Sequence, residues 1–191
     1  MRGPVKLANA ITLLRILLVF LAMLWLLIEP AAIPKGSFSH WMIFALVLFA
    51  AVSDFVDGMV ARRLGQVSRF GRVMDPLADK LLVCGILIVL MRDGALHGYV
   101  PAWAVLVIVA RELAVTSLRG AMEQGGESFG ADPFGKWKMV AQSAYVCALL
   151  GYRADWSLMQ SLLLPLLWLS VLLTLLSGGN YFRKAWHALE L

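Results

Sequence analysis

The chain has 191 residues and a formal net charge of +5, with 61% hydrophobic and 15% charged residues. Water-soluble domains run near half apolar and about a quarter charged, so this balance excludes an ordinary soluble domain and points to lipid. The basic residues form no aromatic-interleaved stretch, which excludes a nucleic-acid partner.

A spanning helix needs ~20 mostly apolar residues, and six segments approach that in chain order. The first, Leu7–Ile28, is longer than a signal-peptide core and is followed by no small-x-small cleavage pattern, so it is expected to be retained. The others are Trp41–Val60, Leu77–Met91, Tyr99–Leu118, Met139–Tyr152 and Leu158–Leu176. The third and fifth reach spanning length only with their flanking residues. Six such helices leave only short loops, so residues 1–191 are expected to be one all-α, six-helix membrane domain. Cys84 and Cys147 fall inside spans and indicate neither a disulfide framework nor a metal cluster.

Lys and Arg set the orientation. With six spans, one side carries Arg2, Lys6, Arg62, Arg63, Arg69, Arg72, Arg119, Lys136, Lys138, Arg183 and Lys184, and the other only Lys35, Arg92 and Arg153. That asymmetry predicts cytoplasmic termini and a cytoplasmic second-to-third connection. The net positive charge then meets anionic headgroups of the surrounding membrane lipids.

Around that connection lie four aspartates: Asp54 and Asp57 closing the second span, Asp75 and Asp79 opening the third. Ionisable groups in apolar segments are costly and default to function. Asp54, Asp57, Gly58 and Ala61 follow i, i+3, i+4, i+7 spacing, one stripe of a helix, and Asp75 and Asp79 share a face at i, i+4. A tight connection turns the two stripes towards each other, and the repulsion among four carboxylates calls for divalent cations. Oxygen donors without His or Cys favour Mg²⁺ or Mn²⁺. Gly58, Ala61 and Gly71 keep the cleft walls small, and Arg62, one turn beyond Gly58, is placed to meet a phosphate. Cations plus an arginine beside a cleft are phosphoryl-transfer equipment.

Plainer readings exist for each part. Asp75 before Pro76 reads as an N-cap with proline at the first helical position. Asp54 and Asp57 have Arg62 and Arg63 as possible ion-pair partners, and the small residues suit helix packing. None of these accounts for the four acids and the glycines together.

The run Asp54-x-x-Asp57-Gly58-x-x-Ala61-Arg62, eight residues, Gly71-x-x-x-Asp75-x-x-x-Asp79 resembles the signature of the CDP-alcohol phosphatidyltransferases, matched without a gap. The resemblance implies a six-helix membrane fold of the CDP-alcohol phosphotransferase type, a homodimer, and a site in the inner cell membrane opening to the cytoplasm. It implies two divalent cations on Asp54, Asp57 and Asp75, with Asp79 as catalytic base and further metal contact. It also implies a CDP-lipid site of Asp57, Gly58, Ala61, Arg62, Gly71 and Asp75. The chemistry implied is attack of an alcohol on the lipid-side phosphorus of a CDP-lipid such as CDP-diacylglycerol, with release of CMP.

Further basic residues, Arg111 and Arg119 on the fourth span and Lys136 and Lys138 before the fifth, form a candidate pocket for an acceptor's phosphate. The plain alternative is compensation of Arg111 by Glu112 and ordinary loop charge. Asn9-Ala-Ile-Thr12-Leu-Leu-Arg15, Ala110-Arg111-Glu112, Ser117-Leu-Arg119, and Gly135-Lys136-Trp-Lys138 with Gln142 resemble the family branch that uses glycerol 3-phosphate, the phosphatidylglycerophosphate synthases. Gly120 and Met139 depart from that branch's usual pattern, as does the Glu123–Phe134 stretch. Arg15 belongs either to the pocket or to the membrane surface, and Asn9 and Thr12 are either pocket residues or polar residues of a helix start. His40, His97 and His187 receive no role. Inositol phosphate or phosphatidylglycerol as acceptor, and a cation transporter lined by the four acids, are the competing functions.

Overall fold

A computed structural model describes residues 3–29, 33–64, 69–124 and 133–188, with the side chains of 3–9, 54–64, 69–70, 72–73, 123–124, 133 and 187–188 outside that description. Among the described residues the chain is all helical. It comprises α1 (Gly3–Ile28), α2 (Phe38–Leu64), α3 (Arg69–Lys80), a π-helical turn (Leu81–Gly85) running into α4 (Ile86–Leu90), a short 3₁₀ turn (Gly94–Leu96), α5 (Ala102–Gln124), α6 (Pro133–Arg153) and α7 (Ser157–Ala188). Since α3, the π turn and α4 follow one another without a break, the helices form six rods.

The apolar runs become helices because Leu, Ala, Val, Met and Ile dominate them, and breakers gather between them. Gly36, at φ +75°, takes the left-handed turn before α2 that a β-carbon would strain. The core is a seam of Val19, Ala22, Ile43, Val47, Ile86, Leu87, Ile108, Val146 and Leu149, all buried, drawn from α1, α2, α4, α5 and α6. α7 packs along α6 and α5, while α1 packs against both α2 and α3. That last arrangement seats α1 against both elements that carry the acid motif.

Two helices are long and apolar enough to cross a membrane, Ala10–Ile28 and Ser157–Trp186, with a shorter apolar stretch at Phe38–Ser53. Only 28% and 33% of the two long windows is buried, far from the enclosed core helix of a soluble protein. Leu13, Leu17, Phe20, Leu106, Trp168, Leu172 and Leu175 all stand exposed on the outside. An apolar exterior on this scale is the mark of a membrane protein.

Several boundaries move from those expected. The third rod begins at Arg69, so Asp75 and Pro76 lie inside α3, which corrects the N-cap reading. Pro76 removes one amide from the ladder, and the π turn that follows shifts the face presented further on. The sixth rod continues past Leu176, where the apolar segment ends, to Ala188, and carries Ser177, Tyr181, Arg183 and Lys184. Cys84 and Cys147 are both free.

Candidate functional site

One end of the bundle contains a cavity of about 580 Å³. Its wall is assembled from five rods: Ala51 from α2, Pro76, Asp79 and Lys80 from α3, Arg111, Glu112 and Arg119 from α5, Lys136, Lys138 and Gln142 from α6, and Tyr181 from α7. The topology explains the convergence. The charged ends of α3, α5, α6 and α7 alternate in direction, so the end of α5, the start of α6 and the end of α7 meet the start of α3 on one side. Asp79 and all four residues of the candidate acceptor pocket, Arg111, Arg119, Lys136 and Lys138, thus border a single space.

Electrostatically the cavity is basic. Among the described residues Lys80, Arg111, Arg119, Lys136 and Lys138 face Asp79 and Glu112, five cations against two acids. Glu112 is shared. Its Oε1 accepts from Arg111 Nη1 at 3.2 Å and also from the Lys138 ammonium. Arg111 is therefore compensated by Glu112, as the plain reading held, and lines the cavity as well. Lys138 is 4% exposed, a buried cation tied to one carboxylate oxygen. Arg111 Nη2 donates to Ser177 Oγ at 2.5 Å, and Arg119 Nη2 donates to the Tyr181 hydroxyl at 2.8 Å. Below them Gln142 donates to Thr174 Oγ1 at 2.8 Å, and Thr174 in turn donates to the Ser170 carbonyl at 2.6 Å. This buried ladder fixes α6 against α7.

The acid motif is divided by what is described. Asp75 accepts from Thr12 Oγ1 at 3.0 Å, a bond from α1 to α3. Thr12 is buried in the interior of α1, not at its start. Asp79 stands one turn past Asp75 and borders the cavity, and Gly71 is buried near the start of α3. Asp54, Asp57, Gly58, Ala61 and Arg62 lie on the last turns of α2, and their side chains are outside the described residues, as is that of Asn9. Among the described residues, which leave out the side chains of Asp54 and Asp57, no three acid, His or Cys side chains group to hold a metal. Arg15 takes neither expected position. It is 3% exposed and lines a separate groove between α1 and α2, with Ile11, Leu14, Leu18, Phe49 and Ser53.

Ser177, Tyr181 and the bridging position of Glu112 escaped the sequence reading. The one available signal was Gly178-Gly179, an interruption in the apolar run one residue after Ser177. In the fold a β-carbon on Gly178 would come 3.1 Å from Arg111 Cγ, so glycine here lets the arginine stem lie against α7.

Comparison with known proteins sets this geometry in a lineage. The model of the CDP-alcohol phosphatidyltransferase family matches residues 5–176. A Bacillus subtilis (strain 168) protein named CDP-diacylglycerol–glycerol-3-phosphate 3-phosphatidyltransferase is 39% identical, covering 97% of this chain and 97% of that one. A protein of the same name from Pseudomonas fluorescens is 33% identical over 95% of this chain and 91% of its own length. A third relative, from Arabidopsis thaliana and named as the second such transferase of that plant, is 36% identical over 76% of this chain and 67% of its own. With the signature intact, the all-helical fold in place and Asp79 set across a basic cavity, the chain belongs to the CDP-alcohol phosphatidyltransferase family.

Proposed function

We propose that the chain transfers the phosphatidyl group of CDP-diacylglycerol to glycerol 3-phosphate, giving phosphatidylglycerophosphate and CMP. The observation that carries this reading is the placement of Asp79 on the wall of one cavity with Arg111, Arg119, Lys136 and Lys138. A carboxylate able to take a hydroxyl proton and a cluster able to hold a phosphate dianion are what an acceptor bearing both groups requires. The names of the full-length relatives agree with that acceptor.

In this reading Asp54, Asp57, Asp75 and Asp79 hold two divalent cations, Mg²⁺ or Mn²⁺. The donor set fits: the side chains are all hard oxygen donors, and Asp75 is already oriented by Thr12, as ligating carboxylates commonly are. When bound, such cations neutralise charge on the diphosphate of the CDP-lipid and on departing CMP. Gly58, Ala61, Arg62 and Gly71 line the cytidine-diphosphate site with Asp57 and Asp75. Arg111, Arg119, Lys136 and Lys138 hold the phosphate of glycerol 3-phosphate and aim its free hydroxyl at Asp79. Asp79 takes the hydroxyl proton as that oxygen bonds to the lipid-side phosphorus, and the bond from that phosphorus to the CMP oxygen breaks with its electron pair.

The reading includes six spans forming one domain over residues 1–191, the active site and both termini on the cytoplasmic face of the inner membrane, and a homodimer. The charge asymmetry of the connections supports the orientation, and family resemblance supports the dimer. Charges that face the cavity keep the third to fifth rods from reading as uniformly apolar spans. The test is product identification. Purified protein in detergent with Mg²⁺ or Mn²⁺ is given CDP-diacylglycerol and, separately, glycerol 3-phosphate, inositol phosphate or phosphatidylglycerol, and the lipid formed is weighed by mass spectrometry. Phosphatidylglycerophosphate from glycerol 3-phosphate alone is expected. A product only from another acceptor overturns the acceptor, and no product with any of them overturns the reaction.

A further inference from the structure

The hydroxyl groups at the end of α7 are not used by the reading above. Ser177 and Tyr181 are one turn apart, so both face α5, and each accepts from one of the two arginines assigned to the acceptor: Arg111 to Ser177 at 2.5 Å, Arg119 to Tyr181 at 2.8 Å. The Tyr181 ring adds a second contact to both. The guanidinium carbons of Arg111 and Arg119 lie 5.7 Å and 5.6 Å from its centroid. Tyr181 itself is 6% exposed, packed into the wall rather than hanging over it.

Two like charges brought to one ring repel each other, and an aromatic face offsets part of that cost through its quadrupole. A guanidinium carries five N–H donors in a rigid plane, so anchoring one of them fixes the direction of the fork without exhausting it. Without such anchors a long arginine at a cavity mouth samples many rotamers and loses that freedom when a ligand binds. The family match ends at residue 176, one residue before Ser177. Both hydroxyls thus lie past the stretch that the family model matches.

We infer that Tyr181, seconded by Ser177, is a positioning residue that pre-sets Arg119 and Arg111 to receive a phosphate monoester dianion, and so sets the affinity for the phosphorylated acceptor. The inference rests on the proposed acceptor reaction and deepens it. Tyr181 acts through the two arginines, so its effect falls on acceptor binding and not on the chemical step.

The experiment compares wild type, Tyr181→Phe and Tyr181→Leu in detergent, with saturating CDP-diacylglycerol and varied glycerol 3-phosphate. Inorganic phosphate serves as a competing probe that has the anion but no alcohol to react. Phe keeps the ring and loses the hydroxyl, and Leu loses both. The KM for glycerol 3-phosphate should rise about tenfold for Phe, the scale of a lost charge-assisted hydrogen bond, and further for Leu. The inhibition constant for phosphate should rise in the same order, with kcat, the KM for CDP-diacylglycerol and the melting temperature of the Phe variant unchanged. Equal acceptor KM values in all three proteins overturn the inference while leaving the reaction standing. A parallel rise in both substrates' KM overturns it too, since that is the mark of a purely structural residue. If wild type turns over no phosphorylated acceptor at all, the reaction reading falls and the inference falls with it.

Discussion

The two ends of this bundle use the same residue types in opposite ways. At the cavity end, among the described residues, Lys80, Arg111, Arg119, Lys136 and Lys138 outnumber Asp79 and Glu112 around an open space of about 580 Å³. At the other end the charges are closed on one another. Arg153 bridges Glu29 at 3.0 Å and Asp93 at 2.6 Å, Ser39 donates to Glu29 at 2.5 Å, and His40 Nε2 sits 3.4 Å from the same carboxylate. The Glu29 side chain is 1% exposed, and this knot joins the end of α1, the start of α2, the turn after α4 and the end of α6. One end spends its charge on internal pairing, and the other keeps a surplus of one sign facing a cavity. Among the described residues the excess cations of the basic end border an open space that admits water or a ligand of opposite charge, which is why that end reads as a binding site and the paired end as a clasp.

Changes that remove a single group separate the two roles. The largest effect on turnover is expected from Asp79→Asn, which keeps the shape and removes the base. CMP release should fall by about two to four orders of magnitude, the usual worth of a general base, with the melting temperature little changed. The largest effect on stability is expected at the clasp. Arg153→Met leaves the buried Glu29 and the half-buried Asp93 without that cation, a loss of roughly 3–5 kcal/mol, read as a fall in melting temperature in detergent. The KM values of the protein that remains folded should be unchanged. A smaller effect is expected from Gly178→Ala, whose methyl would press on the Arg111 stem 3.1 Å away. A few-fold rise in the acceptor's KM, with that for CDP-diacylglycerol constant, is the expected result, on the scale of ~1 kcal/mol for a mild overpacking.

Much of this contrast is legible in the sequence, for a physical reason. In a chain that is 61% hydrophobic every charge is conspicuous, so Asp54, Asp57, Asp75, Asp79, Arg111 and Lys138 declare themselves. The helical spacing of the acids also gives their faces. What stays hidden is pairing at long range. Arg119 and Tyr181 are 62 residues apart, Arg111 and Ser177 66, and Lys138 and Glu112 26, and no local pattern links them. A hydroxyl near the end of an apolar helix carries no signal of its own, since Ser, Thr and Tyr are tolerated there in any membrane helix. The full length of α7 is hidden because apolarity fades after Leu176, whereas helix continues on a polar surface as readily as on an apolar one. Asp75 read as a cap because Asp-Pro is a helix-start pair, but the turns before it, Arg69–Met74, are helical as well. His40, which had no role in sequence, proves to be part of the clasp.

The central claim is that the surplus charge of the cavity holds the acceptor's phosphate. Its most direct test is the KM for glycerol 3-phosphate in Lys138→Met set beside Arg153→Met, at saturating CDP-diacylglycerol in one detergent. The account predicts a rise of roughly tenfold or more for Lys138→Met, the scale of one lost charged hydrogen bond, and no change for Arg153→Met in the protein that stays folded. An unchanged KM in Lys138→Met, or the same rise in both variants, would contradict it.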